Sequence, residues 1–160
     1  MNEILLTRVD SRLSHGKVAD LWSKHTGADT VVIANDKINA DSFSKNLMDL
    51  TIPFGINSAY TSVEGFKEYF DTTANKKILL IVQDVEDLKK IVDMNLPIKA
   101  VDLGIMHTSY GKKQLTDEIA VDEEDIEILT ELLDCGIDIF IQTSPNSSKR
   151  NFGEFVSVNA

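Results

Sequence analysis

The run Arg8-Val9-Asp10-Ser11-Arg12-Leu13-Ser14-His15-Gly16-Lys17-Val18 gathers three bases and one acid around a histidine, in a chain whose formal charge is −10. Such a set suits phosphoryl transfer. An imidazole nitrogen supplies the nucleophile, and little more is needed than alignment and donors for the phosphoryl oxygens. Arg8 or Arg12 could present a guanidinium fork to a phosphoryl group, and Asp10 could orient an arginine or the imidazole. His15 is followed by a glycine and falls where the first helix is expected to begin. The backbone N–H groups of Gly16, Lys17 and Val18 are then expected among the unpaired donors of a helix start, a setting that favours anions.

The elements that hold this loop are legible from hydrophobic periodicity. Ile4 to about Val9 reads as a strand buried on both faces. Val18, Leu21, Trp22 and His25 recur at helical spacing behind the loop. Thr30–Ala34 predicts a second strand, followed by a helix with Phe43, Leu47, Met48 and Leu50 on its inner side. Ile56–Tyr60, Ile78–Val82, Ala100–Leu103, Ile119–Val121 and Ile137–Ile141 predict five more strands. Helical stripes run through Val63, Phe66, Tyr69 and Phe70, through Val85, Leu88, Ile91 and Val92, and through Ile126, Leu129 and Leu133. Asp122 is the expected N-cap of the last of these helices and Gly136 its stop, with a short helix after Pro145. The alternation defines an α/β fold of βαβ units with a parallel sheet, in which about seven strands are expected. Ligands of such sheets bind beyond the carboxyl ends of the strands. That rule selects the loops at 10–17, 35–37, 83–84, 104–111 and 142–148.

Composition narrows the rest. At 160 residues, with 42% hydrophobic and 26% charged side chains, the chain is expected to form a single domain over residues 1–160. Three prolines and eight glycines leave little material for a linker. With 26 acidic against 16 basic side chains, nucleic acid and anionic membrane surfaces are disfavoured as partners. The apolar runs are too short to span a bilayer or to serve as a signal peptide, and the lone Cys135 forms no intrachain disulfide. A reducing, cytoplasmic setting is expected. No G-x-G-x-x-G or G-x-x-x-x-G-K-[ST] run occurs, and the spacings of the three histidines and Cys135 match no metal-ligand pattern, so neither cofactor nor metal is expected.

The run from Arg8 to Val18 closely resembles the active-site signature R-[IV]-D-x-R-[LF]-I-H-G-Q-V of IIB components in the mannose family of sugar phosphotransferase systems. His15 falls on the signature histidine, and Arg8, Asp10, Arg12 and Gly16 on its flanks. Ser14 replaces the usual isoleucine and Lys17 the usual glutamine. Val32-Ile33-Ala34-Asn35-Asp36 is similar to the family's second strand and turn, Asp102-Leu103-Gly104-Ile105-Met106-His107 to N-[VI]-G-x-M-H, and Gly111-Lys112-Lys113-Gln114 to G-K-x-Q. Val121-Asp122-Glu123-Glu124-Asp125 is similar to the start of the last main helix. Asn46-Leu47-Met48-Asp49 and Ile141-Gln142 resemble the N-acetylgalactosamine or galactosamine branch most. The resemblance implies that His15 accepts a phosphoryl group at Nδ1 from a IIA component and passes it to a sugar imported by membrane components IIC and IID. It implies a doubly wound, mostly parallel sheet of about seven strands with helices on both faces, no metal or nucleotide, and a cytoplasmic protein peripherally associated with the permease. The oligomeric state stays open, a homodimer included.

Other residues carry plainer expectations. His107, past a strand end, is expected to be structural or to help orient His15 or the phosphate. His25 and Trp22 are expected to pack in the core, and Asn35 with Asp36 to form a turn and helix cap. Glu123 to Glu131 is expected to present a solvated face. The alternative to a phosphoryl carrier is a regulatory or binding module on the same scaffold, with Ser14 and Lys17 as its only local signs. A flavodoxin-like receiver is disfavoured, because it would need clustered acids where this loop is basic.

Overall fold

The computed structural model describes residues 2–157. Its main sheet contains β1 (Glu3–Asp10), β2 (Thr30–Ala34), β3 (Asn57–Thr61), β4 (Lys77–Val82), β5 (Ala100–Ile105), β8 (Asp138–Ile141) and β9 (Arg150–Asn151). They lie in the order β3-β2-β4-β1-β5-β8-β9. All pair in parallel except β9, which runs antiparallel to β8. A separate two-stranded ribbon joins β6 (Lys113–Gln114) to β7 (Ala120–Val121).

Period-two alternation splits the strand side chains between two cores. In β4, Ile78, Leu80 and Val82 enter one cluster while Leu79 and Ile81 enter the other. The first cluster is closed by α4 (Phe66–Thr72), α5 (Val85–Val92), α6 (Glu123–Asp134) and α7 (Gly153–Ser157). The second is covered by α1 (Val18–Thr26), with help from α2 (Asp36–Asn39) and α3 (Ser42–Asp49). Thus β1 sends its helix to one face while its neighbours β4 and β5 send theirs to the other. The loops part around the carboxyl end of β1, the switch point where doubly wound sheets bind ligands.

Several sequence expectations change. Residues 119–121 do not join the main sheet. The place beside β5 belongs to β8, so this segment bridges to Met106 beyond the end of β5 and turns back on β6. The seventh strand of the sheet is instead β9, which periodicity does not reveal because it is two residues long. The helix after β2 is two helices. Its expected inner residues Phe43, Leu47 and Leu50 are 70%, 50% and 82% exposed, and of that stripe Met48 reaches the core. The reason is local: α3 meets the edge strand β3 through polar bonds. The Tyr60 hydroxyl donates to Asp49 Oδ1 at 2.6 Å and Ser58 Oγ donates to the same atom at 2.9 Å. That turns the apolar stripe outward. His25 is likewise exposed, touching Trp22 edge-on at 5.6 Å between ring centroids, while Trp22 itself is buried.

Caps follow the sequence closely. Asn35 Oδ1 accepts the Ile38 N–H at 3.0 Å, and Asp36 Oδ1 accepts the Val63 N–H at 2.9 Å. At α6 the Asp122 and Asp125 side chains each accept the other residue's backbone N–H, at 2.8 and 3.1 Å. This reciprocal box places acids at the positive end of the helix. Replacing the cap, Asp122→Ala, is expected to lower unfolding free energy by about 1 kcal/mol, read from the urea midpoint.

Candidate active site

Charged residues inside a parallel sheet need an explanation, because a buried charge is costly unless paired. Arg8 lies on β1 and Asp102 on β5, directly opposite in register. Both are fully buried, as is Asp10 two residues along β1 and hence on the same face. Arg8 Nη1 donates to Asp102 Oδ2 at 2.7 Å and to the Gln142 carbonyl at 3.3 Å. Its Nε donates to Asp10 Oδ2 at 3.2 Å, and Nη2 lies 3.2 Å from the same oxygen. The guanidinium carbon stands 5.7 Å from the Trp22 ring centroid, so α1 closes the cluster with an aromatic face.

Space for the guanidinium comes from Gly104, two residues beyond Asp102 on the same face of β5. A Cβ built there would stand 2.1 Å from Arg8 Cζ. Asp102 Oδ1 accepts the Gln142 N–H at 3.0 Å, which ties the end of β8 into the cluster. Burial pushes the Asp102 carboxyl up to about 7, overcoming the opposing pull of Arg8 and the Gln142 N–H; the Asp10 carboxylate adds to the upward shift. The native state therefore keeps a proton that the unfolded chain has already released, and this group's contribution to stability falls as pH rises from the ordinary carboxylate range towards 7.

Asp10 carries the order of this cluster to the loop. Its Oδ1 accepts the Arg12 N–H at 2.8 Å, and its Oδ2 lies 3.0 Å from His15 Nε2. The His15 side chain is 19% exposed. With Nε2 held by a carboxylate, the ring presents Nδ1 as its other nitrogen. Leu13, at φ +60°, plugs into the core while Gly16, at φ +52°, turns the chain towards the helix. The Ser14 and Thr51 hydroxyls lie 2.6 Å apart, anchoring the loop to the segment after α3. Gly16 tolerates its left-handed conformation because it lacks a side chain.

The loop differs from expectation in one respect. Helix α1 begins at Val18, so His15 precedes it by three residues, and the Val18 N–H is taken by the His15 carbonyl at 3.1 Å. The positive φ angles at Leu13 and Gly16 delay the helix. Among the described residues, the Gly16 and Lys17 N–H groups have no protein acceptor. Arg12 and Lys17 are exposed beside His15, whereas Arg8 spends its guanidinium on buried partners. Of the two candidate forks, Arg12 is the one that reaches solvent.

Ser11 joins the first loop to the second. Its Oγ accepts the His107 N–H at 3.0 Å, its N–H donates to the Ile105 carbonyl at 2.9 Å, and its carbonyl accepts Gln83 Nε2 at 3.4 Å. Gln83 in turn accepts Asn35 Nδ2 at 3.2 Å. Hence the loops after β1, β2, β4 and β5 form one polar network. His107 is exposed and lines a surface cleft of about 560 Å³ with Met106, Thr108, Gln114 and Glu118. No group of metal-ligating side chains occurs among the described residues, and no helix there is long and apolar enough to cross a membrane.

Sequence reasoning missed Asp102, Gly104 and Ser11 as site residues. A signal existed: Asp102 interrupts an otherwise apolar strand, just as Arg8 does, and charges of opposite sign at such positions seek each other.

A doubly wound fold that holds a histidine against a buried carboxylate at its switch point defines a class, an α/β protein that presents an imidazole at its ligand-binding rim. The family model for the sorbose subfamily IIB component of the phosphotransferase system matches residues 4–160, and the chain belongs to that family. It is a phosphoryl carrier of the mannose type. N-acetylgalactosamine-specific phosphotransferase enzyme IIB component 1 of Escherichia coli is 33% identical over 148 residues, covering 91% of this chain and 94% of that protein. The IIBSor domain of the sorbose permease from Klebsiella pneumoniae superposes with a TM-score of 0.90 at 25% identity, over 99% of this chain and 98% of that one. The mannose-specific EIIAB component of Escherichia coli is 27% identical over 95% of this chain but only 48% of its own length.

The cluster makes a sharp demand on residue 104. Gly104→Ala is expected to destabilise the protein by about 2 kcal/mol, because a buried, doubly paired guanidinium has nowhere to move. Thermal denaturation of the variant beside the parent measures it.

Proposed function

We propose that His15 is the residue that carries the phosphoryl group, taking it on Nδ1 from a phosphorylated IIA component and delivering it to a sugar at the membrane components IIC and IID. The observation that carries this reading is the 3.0 Å contact between His15 Nε2 and Asp10 Oδ2. A carboxylate at Nε2 selects the tautomer with its proton there, which leaves the Nδ1 lone pair free to attack.

The step follows from the geometry. Nδ1 approaches the phosphorus of the incoming phosphohistidine opposite its P–N bond. That bond breaks, and its electron pair returns to the donor nitrogen. Charge on the three equatorial oxygens is met by Arg12, Lys17 and the open N–H groups of Gly16 and Lys17. Arg8 and Asp10 support the ring from beneath. Histidine-to-histidine transfer is nearly symmetric in chemistry, so the protein's contribution is alignment and shielding of a labile phosphoramidate. The partner set rests on family membership and on the union of A and B parts in the mannose-specific EIIAB relative. A cytoplasmic location beside the permease is the setting this role requires.

For the sugar, we favour an amino sugar of the N-acetylgalactosamine or galactosamine type. The reading rests on the 33% identity to the N-acetylgalactosamine-specific component and on the likeness of residues 46–49 and 141–142 to that branch. Ser14 and Lys17 do not weigh against the carrier role. Ser14 is used as a loop anchor, and Lys17 adds a cation beside the nucleophile.

Intact mass after incubation with phosphoenolpyruvate, the general phosphorelay proteins and a cognate IIA tests the role. The wild type should gain one acid-labile phosphoryl group and His15→Ala none; a wild type that stays unmodified beside a fully phosphorylated IIA would sink the reading. Asp10→Asn should still fold but accept the group on the order of 10²-fold more slowly in single-turnover quench-flow, since the ring loses its orienting carboxylate.

A further inference from the structure

The charge count of the buried cluster is unbalanced. One guanidinium, Arg8, lies between two carboxylates, Asp10 and Asp102, and the three side chains are at most 1% exposed. With both acids ionised the group carries a net charge of −1 that solvent cannot screen. His15 touches it through Asp10 Oδ2. The two carboxyls are not equivalent. Asp10 faces four donors, namely Arg8 Nε and Nη2, the Arg12 N–H and His15 Nε2. Asp102 faces two, Arg8 Nη1 from β1 and the Gln142 N–H from the end of β8. The charged groups acting on Asp102 are thus Arg8 and Asp10, with His15 one contact further away.

We propose that Asp102 is a positioning residue that compensates charge during transfer, binding its proton more tightly while His15 carries the phosphoryl group and less tightly once the group departs. This rests on His15 being the phosphoryl carrier. In the transfer the Nδ1–P bond forms as the donor's N–P bond breaks, and residue 15 gains one net negative charge. That charge rests on the phosphoryl oxygens at Nδ1, on a ring whose other nitrogen is bonded to a buried carboxylate. The proton, drawn from solvent, adds to Asp102 and frees the guanidinium to serve Asp10 alone, which keeps the ring in its orientation. The carboxyl is suited to the task, since burial holds it near neutral pH.

By linkage, what loads the phosphoryl group raises the proton affinity of Asp102, and protonating Asp102 favours loading by the same factor. Loading is then favoured below pH 7. Ionisation of Asp102 as pH rises through about 7 favours delivery to the next acceptor. Proton binding at Asp102 and loading at His15 are thus coupled, which gives the fold a built-in pH response.

The test follows the Asp102 ¹³Cγ resonance through a pH titration of the wild-type protein, unmodified and phosphorylated. The expected result is a midpoint near neutrality in the first and about one unit higher in the second. In parallel, the equilibrium constant for exchange with one phosphorylated IIA is measured across pH 6 to 8 for the wild type and Asp102→Asn. The donor's own pH dependence is common to both. The wild type should show up to about a tenfold additional fall in loading as pH rises, and the isosteric variant should lose that fall. A carboxyl that does not titrate between pH 5 and 9, or whose midpoint is the same in both forms, overturns the proposal. So does a variant with the wild-type slope. The carboxyl titration needs no substitution, so it decides the matter even where Asp102→Asn is poorly folded. A wild type that takes up no phosphoryl group overturns the His15 reading and this proposal together, whereas normal loading with an unresponsive Asp102 overturns this proposal alone.

Discussion

The Arg8 guanidinium, sealed between β1 and β5 with a carboxylate on either side, is the contact on which the rest of this molecule's site depends. A cation in a parallel sheet would be a liability by itself. Here it is held by Asp102 across the register, by Asp10 along the same strand and by the Gln142 carbonyl at the end of β8. Each bond serves a different end. Asp102 and Gln142 join three strands at their carboxyl ends, while Asp10 passes the constraint outward to His15. Removing Arg8 would leave two buried carboxylates without their cation, a loss of about 3–5 kcal/mol in comparable buried pairs. The order of the His15 loop is therefore coupled to the order of the sheet.

That coupling explains why a loop with an unusual backbone path can be well defined. Leu13 in the left-handed region would cost conformational energy in isolation, whereas Gly16, three residues on, adopts it freely. Leu13 is compensated by burial, Ser14 by its bond to Thr51, and the Asp10 carboxylate closes the turn through the Arg12 N–H. The loop ends with a partly shielded ring on one side and exposed Arg12 and Lys17 on the other. A phosphoryl carrier needs both properties: a nucleophile in a fixed orientation, and a face open enough to meet two partners in turn.

The apolar stripe of α3 shows how the same fold treats a region away from the chemistry. Phe43, Leu47 and Leu50 recur at helical spacing, which marks one face of a helix but not where that face points. Direction was settled by Tyr60 and Ser58 on β3, whose hydroxyls bond the opposite, polar side. An edge strand is half exposed and offers too narrow a surface to bury the stripe. Partner strands also decided the fate of residues 119–121, an apolar run suited to a buried strand that found its place beside β5 already taken by β8.

Local physics, by contrast, was written in the chain. Consecutive β-branched and aliphatic runs required buried strands, and Asp122 three residues before Asp125 required a capped helix. The grouping of Arg8, Asp10, Arg12 and His15 in one short run at a strand end marked the candidate site. These features depend on neighbours a few positions apart, so one sequence suffices to read them. Asp102, Gly104 and Ser11 could not be assigned to the site in that way. Asp102 acquires its meaning from a partner 94 residues distant, and Gly104 from the space that partner occupies. Ser11 links two loops that only the strand order brings together. Strand order, register and the burial of charge are set by packing between segments remote in the chain, and for that reason only the tertiary structure decided them.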